Sequence, residues 1–135
     1  MEKKRVLFIC THNSARSQMA EGLANALHGE NWEAHSAGTE ATRVRPLAIA
    51  ALRELGIDIA HHTSKTVAAF AGKTFDLVVT VCDNARESCP FFPGKRLVHK
   101  SFRDPAAATG SEEERLAVFR LVRDEIRRWL EDELR

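Results

Sequence analysis

Apolar residues fall along this chain in two alternating rhythms. Val6-Leu7-Phe8-Ile9 and Phe75-Asp76-Leu77-Val78-Val79-Thr80-Val81 are short, nearly unbroken runs, the pattern of strands buried on both faces. Elsewhere the spacing lengthens to three or four. Met19, Leu23 and Leu27 predict a helix over 17–28 that Gly29 can terminate, and Ala48, Leu52 and Leu55 predict another that starts at Pro46 and ends at Gly56. Leu116, Phe119, Val122, Ile126, Trp129 and Leu130 predict a long final helix whose start is marked by the capping-box pair Ser111 and Glu114. Its apolar side reads as core packing.

Weaker signals fill the gaps. Residues 33–38 suit a short second strand, 57–64 an irregular return, 65–71 a short helix, and Arg96 to His99 a last strand. Asp83 to Lys95 is a long polar loop broken by Pro90, Pro93 and Gly94. Strands separated by helices pair in parallel through right-handed crossovers. The expected fold is therefore α/β, a single doubly wound parallel four-stranded sheet with helices on both faces, in one domain over 1–135. Such sheets bind ligands at the carboxyl ends of their strands, and Cys10 and Cys82 both fall at such ends.

With 135 residues, 44% of them hydrophobic, the chain can bury one core and is short for two domains. A formal charge of +1 argues against a nucleic-acid binder. The charged start Met1-Glu2-Lys3-Lys4-Arg5 precedes an apolar run too short for a signal peptide, and no stretch could span a bilayer. Three cysteines fit a reducing cytoplasm better than a secreted disulfide scaffold. A cytoplasmic monomer with no bound cofactor or metal is expected.

The candidate chemistry sits where the first strand meets the first helix. Cys10 is followed by Thr11-His12-Asn13-Ser14-Ala15 and then Arg16-Ser17. Backbone N–H groups at a helix start lack intrahelical partners, the helix dipole adds positive charge, and Arg16 offers a planar two-pronged donor. That combination binds a tetrahedral oxyanion. The same field favours the thiolate form of a sulfur placed there. Thr11 to Ser17 is thus the expected substrate-binding loop, with Asn13 suited to an unusual backbone conformation because asparagine tolerates positive φ. His12 either lines the mouth or is simply exposed.

The Cys-x5-Arg-Ser form near the N-terminus resembles the low-molecular-weight protein tyrosine phosphatases. Further motifs narrow the resemblance. Cys10 to Gly22, Ser36-Ala37-Gly38, His62-Thr63-Ser64, Val78 to Cys82, Cys89-Pro90 and Asp104-Pro105, in this order, look like the thioredoxin-coupled arsenate reductases of that superfamily. The resemblance implies that Cys10 attacks arsenate while Asp104 acts as general acid. It further implies that Cys82 then attacks Cys10, that arsenite leaves, and that Cys89 resolves the disulfide for thioredoxin to reduce. Phosphate and sulfate would be substrate analogues. A disulfide needs Cα atoms roughly 4.4–6.8 Å apart, so a Cys82 that bonds two partners in turn requires the 83–95 loop to rearrange.

Two other functions remain open on the residues alone. A phosphatase could hydrolyse phosphomonoesters through a Cys10 phosphocysteine and treat Cys82 and Cys89 as packing; a redox-sensing anion binder could use the same thiols without turnover. The spare cysteines favour the reductase. Zinc is disfavoured, because six residues separate Cys82 from Cys89 where structural knuckles use two to four. Ala106-Ala107-Ala108 and the absence of tyrosine leave little to stack on a phenyl ring, which favours a small inorganic anion. His61 and His62 read as structural.

Some of these reductases hold potassium beneath the loop through Asn, Glu, Ser and Asp. Asn13, Glu21 and Ser36 match, but Lys65 stands at the Asp position. The expectation is that the Lys65 ammonium replaces the ion, pairing with Glu21 and fixing Asn13.

Overall fold

The computed structural model describes residues 2–81 and 92–134. Strand β1 (Lys4–Cys10) leads into helix α1 (Arg16–His28), β2 (Trp32–Gly38) and helix α2 (Pro46–Arg53). A 3-10 turn (Val67–Phe70), β3 (Leu77–Thr80), β4 (Arg96–His99), a second 3-10 turn (Pro105–Ala107) and helix α3 (Glu112–Glu133) follow. The four strands run parallel in the order β2-β1-β3-β4. This is the doubly wound α/β sheet that alternating strand and helix patterns imply.

Strand β1 is central because Val6 to Ile9 can be buried on both sides; each is at most 1% exposed. Alternation along β2 then assigns the layers. Ser36 meets Glu21 of α1, whereas its neighbour His35 packs edge-on against Phe70 of the 3-10 turn and against Phe75. Successive side chains point to opposite faces, so helical segments cover both sides of the sheet. Helix α3 lies on α1 and α2 through Phe119, Val122, Ile126 and Leu130, and its buried Arg123 donates to the Ala51 carbonyl and to Glu54 at 2.8 Å each. The Ser111–Glu114 capping box forms in both directions.

Several expected details shift for identifiable reasons. Met19 and Leu23 are fully buried but Leu27 is 49% exposed, because steps of four residues rotate the side chain about 40° further around the helix each time. Helix α2 stops at Arg53 and Leu55 is exposed, lying in the turn that leads to Gly56 at φ 76°. The expected helix over 65–71 is only a 3-10 turn. Strand β3 starts at Leu77 because the Asp76 carboxylate, not a backbone carbonyl, accepts the Arg5 N–H at 2.8 Å.

Candidate active site

Residues 11–15 leave β1 at its carboxyl end and deliver Arg16 as the first residue of α1. Outside donors engage each of the carbonyls at 11–14. Thr11 O accepts from Thr39 Oγ1 and Glu40 N, and His12 O accepts from Thr42 Oγ1 and Ser64 Oγ. Asn13 O accepts from Gln18 Nε2, and Ser14 O from the Arg45 N–H. In a planar trans peptide the following N–H points opposite to the carbonyl, so these bonds aim the amides of 12–15 into the loop. The result is a ring of inward-facing amides at a helix N-terminus, an arrangement with the chemistry to hold an anion.

Cys10 Sγ lies beneath this ring of amides, 2% exposed, with Ser17 Oγ at 2.8 Å. Asn13 adopts φ 49° and is wholly buried; its Nδ2 donates to Ser17 Oγ at 2.8 Å and Ser36 Oγ at 2.9 Å. The positive φ is the one expected of it. Gly38 leaves room for the loop: a Cβ there would stand 2.8 Å from both Asn13 N and Thr11 O. Arg16 is held from behind, donating to Phe102 O at 3.2 Å, and its Nη2 lies 3.7 Å from Asp104 Oδ2. Asp104 Oδ1 accepts from Ala106 N, which fixes the carboxylate. Cys10, His12, Arg16, Asp104, Ala106 and Ala107 thereby line one cavity of about 160 Å3. His12 itself is half-exposed and 3.3 Å from Glu40.

A second layer of residues supports the loop; Glu21 and Ser36 are those the resemblance places there, whereas Gln18 and His62 have no such role in the sequence analysis. Gln18, wholly buried, donates to Asn13 O, Asn13 Oδ1 and Thr63 O within 3.1 Å, while its Oε1 meets His62 Nδ1 at 3.0 Å. Glu21 accepts from Ser36 Oγ and sits 3.7 Å from His62 Nε2. Position 18 shares a helix turn with Arg16 but carries no motif of its own.

The expected role of Lys65 needs correction. Its Nζ donates to Thr63 O at 3.0 Å, and Glu21 has His62, not the ammonium, as its basic neighbour. Lys65 does fix Asn13, but through its backbone N–H on Asn13 Oδ1 at 2.9 Å. Since protein donors already occupy Asn13 Oδ1 and Ser36 Oγ is turned to Glu21, these residues do not fit a potassium ion.

Burial holds His62 below its ordinary range, opposed by the Glu21 carboxylate, which pulls it up. A histidine depressed in the folded state contributes stability that is complete above its unfolded value of about 6.5 and is lost as pH falls through the folded value. Tm should therefore fall more steeply below about pH 6.5 in the wild type than in His62→Asn, whose side-chain amide can still donate to Gln18. Parallel Tm–pH curves would contradict this assignment.

Cys82 and Cys89 lie outside the described residues, as do residues 83–91 of the loop whose rearrangement is expected. Among the described residues no group of three or more His, Cys, Asp or Glu could hold a metal ion, and no helix is long and apolar enough to cross a membrane.

Residues 5–135 match the family model of low molecular weight phosphotyrosine protein phosphatases. The chain belongs to that family. Within it, a curated arsenate reductase of Halalkalibacterium halodurans is 50% identical over 127 residues, covering 93% of this chain and 91% of the relative. Among solved structures, an arsenate reductase in a phosphate-binding state superposes with a TM-score of 0.81 at 33% identity, covering 97% of this chain and 96% of its own. A thioredoxin-dependent arsenate reductase of Corynebacterium glutamicum gives a TM-score of 0.69 at 27% identity, covering 98% of this chain and 62% of the other.

Proposed function

We propose that the chain reduces arsenate to arsenite with Cys10 as nucleophile, and that thioredoxin recycles it through Cys82 and Cys89. The observation that carries the reading is the Cys10 sulfur, 2.8 Å from Ser17 Oγ, beneath a loop whose carbonyls are all tied outward. Similarity to arsenate reductases supplies the substrate, and the two further cysteines supply the electrons.

The chemistry follows from those positions. Arsenate oxygens lie against the loop amides and Arg16, whose planar fork matches two of them. The Cys10 thiolate attacks arsenic and an As–OH bond breaks, with Asp104 donating the proton that lets oxygen leave as water. The Cys82 thiolate next attacks Cys10 sulfur. The S–As bonding pair stays on arsenic, which passes from the pentavalent to the trivalent state and departs as arsenite. Cys89 then attacks Cys82 sulfur, freeing Cys10, and the Cys82–Cys89 disulfide passes its oxidising equivalents to the thioredoxin dithiol. No metal or organic cofactor enters this balance, and a cytoplasmic setting would keep the thiols reduced.

Arsenate-dependent NADPH consumption in the presence of thioredoxin and thioredoxin reductase tests the proposal. Steady turnover is expected in the wild type and none above background in Cys82→Ser or Cys89→Ser. Undiminished turnover in either variant would remove that cysteine from the relay.

Gln18 should matter to this reaction although it touches no substrate. Gln18→Met keeps the volume but strips the hydrogen bonds that hold Asn13, and kcat/KM for arsenate is expected to fall about tenfold to a hundredfold. Tm, measured alongside, separates this from unfolding. In an Asn13→Ala background the Gln18 effect should shrink without vanishing, since the bond to Asn13 Oδ1 is then already lost while those to the backbone carbonyls of residue 13 and Thr63 remain.

A further inference from the structure

His12, Ser14 and Arg45 line the catalytic cavity but take no part in the steps assigned to Cys10, Arg16 and Asp104. Of these side chains, His12 carries a carboxylate against its ring, with Nδ1 3.3 Å from Glu40 Oε2. Both partners are anchored through the backbone. The Glu40 N–H and Thr39 Oγ1 donate to Thr11 O at 3.0 Å each, and Thr42 Oγ1 and Ser64 Oγ donate to His12 O at the same distance. Ser64 Oγ in turn accepts from the Thr42 N–H at 2.8 Å. Residues 39–42 are thus laced to residues 11 and 12, and this lacing brings the Glu40 carboxylate to the His12 ring.

A carboxylate beside one nitrogen of a neutral imidazole holds the proton there and leaves the other nitrogen as an acceptor. Glu40 faces Nδ1, and among the described residues no hydrogen bond engages His12 Nε2. The cavity needs such a group. A tetrahedral anion held by the loop amides and Arg16 turns three oxygens to the loop and the fourth toward the mouth. In an arsenate or phosphate dianion that fourth oxygen is a hydroxyl, whose hydrogen requires an acceptor; in a monoester it is capped by carbon and has no hydrogen to give. The loop amides and Arg16 are donors only, and Asp104 is the proton donor in the reaction.

We propose that His12, oriented by Glu40, is a specificity-determining residue: its Nε2 accepts from the hydroxyl of a free tetrahedral oxyanion and so favours that anion over one whose fourth position is capped by carbon. The contact leaves a lone pair of the same oxygen for the Asp104 proton, so it is compatible with departure of that oxygen as water. The assignment rests on the loop being an oxyanion site, as the proposed function requires. It adds an attractive contact for the inorganic anion to the lack of stacking surface at Ala106-Ala107-Ala108.

Calorimetric titration of the reduced protein with inorganic phosphate and with methylphosphonate, in which a methyl group replaces the hydroxyl, tests this at a pH where both are dianions. The wild type is expected to bind phosphate about fivefold to tenfold more tightly, the worth of one hydrogen bond in a half-exposed site. His12→Ala should bring that preference below about twofold. Glu40→Ala frees the ring without touching the anion and should lower the preference part-way; it carries the test if the melting curve shows His12→Ala to be unfolded. Equal affinities in the wild type, or a preference that survives undiminished in the folded variants, overturns the role of His12 while phosphate binding upholds the loop. If neither anion binds the wild type, the oxyanion loop falls, and the proposed function and the role of His12 fall with it.

Discussion

Cys10→Ser is expected to reduce arsenate turnover by about four orders of magnitude or more, since a serine hydroxyl in the same place is a far weaker nucleophile and cannot form the disulfide that carries the electrons away. The fold should survive. Serine is close to cysteine in volume, and its hydroxyl can keep the contact that Cys10 Sγ makes with Ser17 Oγ. Phosphate affinity should change only a few-fold, because the loop amides and Arg16 hold the anion. Arsenite formation, phosphate calorimetry and Tm on one preparation separate these outcomes. A variant that still reduces arsenate at more than about one per cent of the wild-type rate would mean another thiol is the nucleophile.

The second large effect belongs to Arg16→Lys. Lysine keeps the charge but presents it as a point, without the planar fork that spans two oxygens. It also loses the geometry by which Arg16 reaches Phe102 O while lying 3.7 Å from Asp104. Removing one preorganised donor from an oxyanion site costs about a hundredfold to a thousandfold in rate, roughly 2.7–4 kcal/mol. The loss should fall on kcat more than on KM if Arg16 grips the charge developing at arsenic. A rise in KM with kcat unchanged would restrict Arg16 to uniform binding of substrate and transition state.

Local features of the sequence foretold the parts of the site that are contiguous. A buried run, a cysteine, a small polar loop and an arginine opening a helix lie within residues 6–17, so their juxtaposition needs no tertiary information. The same holds for the Ser111–Glu114 cap and for the limits of β4 at Arg96 and His99. In the supporting layer Glu21 and Ser36 are legible only through the resemblance and Gln18 not at all, because the partners are brought together only by the sheet. Gln18 meets Thr63 across 45 residues, Ser36 meets Glu21 because β2 lies beside β1 under α1, and Arg45 joins the loop from the start of α2. Lys65 shows the limit from the other side. Its position beneath the loop was legible, but the backbone N–H, which any residue other than proline carries, makes the contact with Asn13 that was expected of the ammonium.

The central claim is that electrons reach arsenic through a disulfide begun at Cys10, and single-turnover trapping tests it most directly. Reduced Cys89→Ser protein, mixed with excess arsenate and no thioredoxin, should yield one arsenite per chain and, by peptide mass spectrometry, a Cys10–Cys82 disulfide in matching amount. No arsenite and no disulfide, together with rapid hydrolysis of nitrophenyl phosphate by the same protein, would contradict the account and leave a phosphatase in its place.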